Sequence, residues 1–167
     1  MKKELIRKEK LKQFRELEGA IYGNEIDIFK NLLSSFSDIN LKDKDGRTLL
    51  FYAIFTHNYN IVELLVNSGC EVTIHDNLGW TPLHYAVQSH LLEITKFLLD
   101  NNAYINAIDN YGNTPISRAV FNSKGRGEII FLLKAYNADP NIKNKSGISA
   151  IDLANKIANF NIVQFFE

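Results

Sequence analysis

The sequence predicts an all-α solenoid in which about four helix-turn-helix units stack behind an N-terminal capping helix. The first observation is a repeat of 33 residues, because Gly46, Gly79 and Gly112 lie 33 positions apart and a threonine stands two positions after each of them. The second is a shifted copy, offset by 35 positions and marked by Gly147 and Ser149. Self-similarity at this period is typical of chains whose units bury their apolar faces against their neighbours.

Composition limits the classes of function. The 167 residues suit one domain, and 19 basic side chains balance 19 acidic ones, so the formal net charge is zero. General attraction to nucleic acid or to an anionic membrane is therefore not expected. Cys70 is the only cysteine, which excludes an internal disulfide, and no apolar run approaches the length of a membrane span. We expect a cytoplasmic monomer with neither nucleic acid nor a membrane as its partner.

Residues 1–42 are predicted to form a capping helix and a degenerate opening repeat. Charges of both signs are interspersed over the first turns, which favours a solvated helix over a nucleic-acid-binding tail. Leu11, Phe14, Leu17 and Ile21 recur at helical spacing and predict an apolar stripe that covers the end of the stack. A frayed tail and a partner-binding helix are the alternatives. The second helix of the opening repeat is expected to bury Ile28, Leu32 and Leu33.

The clearest unit spans residues 76–108 and contains a signal for each of its parts. Gly79 permits the positive φ of a tight turn, and Thr81 is suited to cap the helix that begins at Pro82. A second helix with one apolar face follows, and it ends near Asn102, a residue that tolerates the left-handed conformation. Each unit is therefore predicted to be a helical hairpin joined to the next by a turn.

These residues resemble the ankyrin repeat. The motif is Asp76-Asn77-Leu78-Gly79-Trp80-Thr81-Pro82-Leu83-His84, and the unit closes with Asn102-Ala103-Tyr104-Ile105-Asn106. The resemblance covers about residues 17–167 and implies an ankyrin-repeat solenoid with β-turn tips. After the opening segment it implies repeats at 43–75, 76–108 and 109–143 and a C-terminal capping partial repeat at 144–167 that ends within its second helix.

The third repeat carries two extra residues between its helices, in the segment 123–127. We interpret this glycine-containing segment as a plain surface insertion. Contact of its backbone N–H groups with a phosphate, or contact with a partner, are the alternatives. The first repeat also departs from the motif, because Leu49 and Phe51 replace its proline and histidine.

Catalysis is not expected from this chain. In ankyrin repeats the histidine at the position of His84 bonds locally, and His57 and His90 occupy turn positions that favour positive φ. Cys70 occupies a small-residue position and is expected to be a buried thiol. The sequence contains no recognisable catalytic, cofactor-binding or metal-binding motif, so we predict no catalytic residue, no cofactor and no metal.

The resemblance instead implies a protein partner on the concave face, formed by the tips and the first helices. By register, the predicted contact residues are Arg47, Phe55, Leu78, Trp80, Tyr85, Gln88, Tyr111, Asn113, Arg118 and Phe121. Trp80 is expected to be an exposed hot spot on its tip; the alternative is that it packs sideways on the next turn. Lysines near both ends of this face favour an acidic partner surface.

The leading hypothesis is therefore a non-enzymatic protein-protein interaction module. One form of it is an inhibitor, such as an immunity protein that neutralises a cognate toxin. The alternative is a host-directed effector or a scaffold protein of a bacterium or parasite. An enzyme is the remote alternative.

Overall fold

The computed structural model describes residues 2–157 and 160–167. Its regular structure within these ranges is helical, and no strand occurs in them. The elements are α1 (Lys2–Tyr22), α2 (Ile26–Ser34), α3 (Leu49–Phe55), α4 (Tyr59–Asn67), α5 (Pro82–Gln88), α6 (Leu92–Asp100), α7 (Pro115–Asn122), α8 (Glu128–Ala135), α9 (Ala150–Lys156) and a final 3-10 helix (Ile162–Phe165). The predicted all-α class is confirmed.

The helices form two layers. Helices α3, α5, α7 and α9 pack side by side, with α1 beside α3, and we call these five the first-helix layer. Helices α4, α6 and α8 pack in a second layer, each against the first helix of its own hairpin. One continuous core runs from Phe14 in α1 to Ile162 in the 3-10 helix. The chain is therefore a stack of hairpins, as the 33-residue period predicts.

Residues with positive φ occupy several of the turns that follow helices. Asn24, His57 and His90 lie between first and second helices, with φ of 55°, 56° and 55°. This confirms the prediction that these histidines occupy turn positions. The same conformation follows the second helices at Gly69, Asn102 and Asn137.

His84 supports the start of α5 from a fully buried position. The Thr81 N–H donates to Nδ1 of His84 over 3.2 Å, and the His84 N–H donates to the Thr81 hydroxyl over 3.4 Å. Nε2 lies 3.2 Å from the carbonyl of Asn113 in the next repeat. The predicted structural role of His84 is confirmed. In the first repeat, Thr48 makes no side-chain capping bond, and Phe51 is buried at the position of the histidine.

The N-terminal helix covers the end of the stack as predicted, because Phe14, Leu17 and Ile21 are buried against α2 and α3. The predicted core of α2 is wrong by one residue. Ile28 is 50 % exposed, and Phe29 is fully buried in its place. Successive residues of a helix point about 100° apart, so a shift of one position moves a side chain off the buried face.

The C-terminal segment packs against the insertion in the third repeat. Lys124 to Arg126 are exposed, as expected of a surface loop, but Gly127 is buried. A β-carbon at Gly125 would lie 2.8 Å from the Phe160 ring, and one at Gly127 would lie 2.7 Å from the Phe165 ring. The simple surface-insertion interpretation is therefore incomplete. The expected second helix of the last repeat is the short 3-10 helix that packs here.

Gly127 and Gly19 form a matched pair of alanine substitutions. Gly127→Ala should lower the free energy of unfolding by about 1–2 kcal/mol, because its new methyl group overlaps Phe165. Gly19→Ala should raise it by about 0.5–1 kcal/mol, since Gly19 lies inside α1 with nothing within 4 Å of its β-carbon position. Denaturant unfolding of both variants measures these changes. Equal effects would contradict the proposed contact.

Candidate protein-binding surface

A carboxylate organises each of the first three tight turns between hairpins. We call the four turns the tips: residues 42–48, 75–81, 108–114 and 143–149. In the second tip, Asp76 Oδ1 accepts the N–H groups of Leu78 and Trp80 over 2.8 and 3.0 Å. Equivalent bonds to backbone N–H groups are made by Asp43, Asp109 and, in the last tip, Asn144. The tips are therefore held in a defined conformation.

The second oxygen of each carboxylate ties the tip to the helix behind it. Tyr85 donates its hydroxyl to Asp76 Oδ2 over 2.7 Å, and burial together with this bond raises the pKa of Tyr85 to about 12. Tyr52 bonds Asp43 in the same way, and Arg118 bonds Asp109. Burial opposes ionisation of Asp109. Hydrogen bonds from the Arg118 side chain and from the backbone and side chain of Asn113 outweigh this effect and hold the pKa of Asp109 below its ordinary value.

Neighbouring tips are hydrogen-bonded to one another. The N–H of Asn77 donates to the Asp45 carbonyl over 2.9 Å, and that of Asn110 donates to the Leu78 carbonyl over 3.0 Å. The N–H of Lys145 donates to the Tyr111 carbonyl over 2.9 Å. The four tips thus lie in register and form one surface, which we call the tip surface.

Five of the predicted contact residues meet in an aromatic–arginine belt of Arg47, Phe55, Trp80, Tyr85 and Arg118. The Arg118 guanidinium lies 4.5 Å from the centre of the Trp80 ring, and the Trp80 and Tyr85 rings are 4.7 Å apart. The Phe55 and Tyr85 rings are 4.9 Å apart, with the Arg47 guanidinium 5.3 Å from the Phe55 ring. The belt joins α3, α5 and α7 across two repeat boundaries.

The predicted exposure of Trp80 is wrong, because only 8 % of this residue is accessible. Arg118 explains the difference. It stands in the third repeat where the two preceding repeats have Tyr52 and Tyr85, and its long side chain reaches back over the indole ring. Stacking between an arginine and a tryptophan is favourable. Trp80 therefore packs against the neighbouring repeat, which is the alternative that the sequence left open.

The other five predicted residues have different environments. Leu78, Tyr111 and Phe121 are 49 %, 64 % and 66 % exposed. Asn113 is half-buried and bonds within the tips, since its side-chain N–H groups donate to Asp109 and its oxygen accepts from Asn144 over 2.8 Å. Gln88 is half-buried on α5, in register between two phenylalanines. The exposed apolar part of the predicted set is thus Leu78, Tyr111 and Phe121.

The sequence prediction did not include Tyr104, which is 64 % exposed. With Ile108, which is 59 % exposed, it borders a shallow groove of about 540 Å³ beside the second and third tips. Comparison of the repeats could have identified Tyr104. The adjacent repeats have the acidic residues Glu71 and Asp139 at this register position, where this repeat has a tyrosine.

Two side chains with reactive groups, Cys70 and His84, are buried. Cys70 is 5 % exposed, as predicted, and burial raises the pKa of its thiol to about 11, so the thiol stays protonated near neutral pH. Burial lowers the pKa of His84 to about 4. Among residues 2–157 and 160–167, no three His, Cys, Asp or Glu side chains are grouped to hold a metal. No helix in these ranges is both long and apolar enough to cross a membrane.

Comparison with protein families agrees with this architecture. The family model for ankyrin repeats, in three copies, matches residues 17–109, and the single ankyrin repeat model matches residues 111–145. No curated protein sequence matches the chain. The two family matches together cover more than half of its length, so the chain belongs to the ankyrin repeat family, whose repeats serve as protein–protein interaction modules.

Proposed function

We propose that this chain binds a protein partner through its tip surface and the adjoining outward side of the first-helix layer. The observation that carries the proposal is the exposure of Tyr111 and Phe121, each about two-thirds accessible. Tyrosine is enriched among the residues that dominate binding energy, and tyrosine and phenylalanine are both enriched at protein interfaces. In this proposal the chain acts as a monomer, without a cofactor, and by binding rather than by catalysis.

The rigidity of the tips supports the same proposal. Carboxylates such as Asp76 hold the backbone of the first three tips, Asn144 holds that of the last, and hydrogen bonds connect one tip to the next. A surface that is already ordered loses little conformational freedom when a partner binds, so more of the contact energy appears as affinity. The aromatic–arginine belt lies behind this surface and stiffens it.

Substitution of the exposed aromatic residues tests the proposal. Tyr111→Ser and Phe121→Ser should each weaken partner binding about 30-fold or more, because loss of a hot-spot residue costs about 2 kcal/mol or more. Thermal stability should change little, because both side chains are largely exposed. Isothermal titration with the partner that co-purifies from the native cell measures the effect.

Leu92→Ser is the matched control for this experiment. Leu92 is 46 % exposed but begins α6, in the second layer. It should leave the affinity unchanged. A loss of binding in Leu92→Ser together with unchanged binding in Tyr111→Ser and Phe121→Ser would place the partner on the opposite side and overturn the proposal.

Binding alone is sufficient to inhibit a partner, so we propose inhibition as the specific role. The finer proposal is an immunity protein that neutralises a cognate toxin whose surface is acidic, because four lysines lie on the tips. Co-expression with a toxin encoded by a neighbouring gene should then restore growth. Growth arrest that persists with the wild-type chain would contradict this role while leaving protein binding itself intact.

A further inference from the structure

Positive charge on the tip surface is confined to its two ends. Two rows of exposed positions run along the tips in register. They are Lys42, His75, Ile108 and Lys143 in one row, and Lys44, Asn77, Asn110 and Lys145 in the other. Hydrogen bonds join neighbouring positions within each row: Lys42 Nζ donates to the His75 carbonyl over 3.1 Å, and the Asn77 side-chain amide donates to the Lys44 carbonyl over 3.0 Å. Each row therefore begins and ends with a lysine.

The carboxylates of Asp43, Asp76 and Asp109 bond to groups within the tips and the first helices rather than to these lysines. Asp76 and Asp109 are each 3 % exposed and are committed to backbone and side-chain donors. Asp43 is bonded to its own tip and to Tyr52. Asp45 is the remaining acid of the tips. In the part of the chain that the structure describes, the four lysines have no carboxylate within ion-pair distance.

The middle of the tip surface is apolar instead. Leu78, Ile108 and Tyr111 are 49 %, 59 % and 64 % exposed. They occupy the second and third tips, between the lysine pairs of the first and the last. The chain has no net charge, so this separation into charged ends and an apolar centre is a local property of the tip surface.

The two lysine pairs act as separate charges. Packed helices lie about 8–10 Å apart, so three steps from the first tip to the last span roughly 25–30 Å. Electrostatic interactions are screened within about 8–10 Å at physiological ionic strength. One acidic group on a partner therefore cannot interact with both pairs.

We propose that the partner presents two acidic clusters about 25–30 Å apart with an apolar segment between them. The clusters pair with Lys42 and Lys44 at one end and with Lys143 and Lys145 at the other, and the apolar segment covers Leu78, Ile108 and Tyr111. An extended segment spans this distance with about eight residues at 3.3 Å each. This inference rests on the proposed function and specifies the chemistry of the partner.

Selection from a random-peptide display library on the immobilised full chain tests the inference. The enriched peptides should carry acidic residues on both sides of an apolar stretch. Affinities of synthetic copies of these peptides are then measured for wild type, Lys44→Glu, Lys145→Glu, the double lysine variant and Tyr111→Ser. Each single lysine variant should bind about two- to fivefold more weakly, the effect of losing an exposed ion pair. The double variant should show the product of the two losses, because distant sites act independently.

Lys30→Glu is the matched control, since Lys30 is exposed on α2 and its substitution changes the net charge equally. It should leave the affinities unchanged. Peptides that depend on Tyr111 but lack paired acidic clusters, or that respond at only one end, would overturn the inference and leave the proposed function standing. Peptides whose affinity is unchanged by Lys44→Glu, by Lys145→Glu and by Tyr111→Ser would contradict the proposed function itself. Tighter binding of a single-stranded oligonucleotide than of the peptides would also overturn the inference.

Discussion

Replacing Trp80 by alanine should lower the free energy of unfolding by about 3 kcal/mol, near the lower end for loss of a buried aromatic side chain. The residue is 8 % exposed and contacts Tyr85 on its own helix hairpin and Arg118 on the next. Removal of the ring leaves a gap between α5 and α7 and takes away the surface on which the Arg118 guanidinium stacks. Chemical denaturation of wild type and variant measures the change.

Leu78→Ala is the control for this substitution. Leu78 lies on the same tip, two residues earlier, and is 49 % exposed, so its loss should change the free energy of unfolding by less than about 0.5 kcal/mol. A Trp80→Ala protein that unfolds at the same denaturant concentration as wild type would show that the contact with Arg118 contributes little. The assignment of Trp80 to the framework would then be wrong.

Acidification should destabilise the fold through His84. Burial lowers the pKa of this imidazole from 6.5 to about 4, against opposing contributions that include the Asn113 carbonyl. The unfolded chain therefore binds a proton at a higher pH than the folded one. The stabilisation is complete above pH 6.5 and is lost as the pH falls towards 4. The difference between the pKa values in the unfolded and folded states corresponds to about 3 kcal/mol in the free energy of unfolding.

The hydrogen bonds of His84 show which contact its protonation would disrupt. Nδ1 accepts the Thr81 N–H at the start of α5, so a proton on this nitrogen removes an acceptor and breaks the cap. Titration of the His84 ring by NMR in the folded protein should show a midpoint near pH 4. His84→Ser, which copies the residue at Ser117, should flatten the pH dependence of stability. A ring midpoint near 6.5, or an unchanged pH dependence in the variant, would contradict this account.

The sequence predicted the helices and turns correctly where the residues that determine them lie within one repeat. The 33-residue period predicted the hairpins, and the turn residues His57 and His90 have the positive φ expected of them. Thr81, Pro82 and His84 lie within four positions, so the helix start that they form is readable without the fold. The exact repeat boundaries stay predictions.

Features that depend on distant residues were not predictable in the same way. Whether Trp80 is exposed depends on Arg118, which lies 38 positions later. The packing of the insertion depends on Phe165 in the following repeat. In α2, neighbouring apolar residues Ile28 and Phe29 both fit helical spacing, and only the packed neighbours decide which of them is buried. Residue patterns predicted the register of each repeat but not the contacts between repeats.

Hydrogen exchange of the chain with and without its partner tests the central claim most directly. The account predicts slower exchange in the second and third tips, residues 75–81 and 108–114, and at the outward side of α7. It predicts no change in α4, α6 and α8. Protection confined to the second-layer helices, with the tips unaffected, would show that the partner binds elsewhere and would contradict the account.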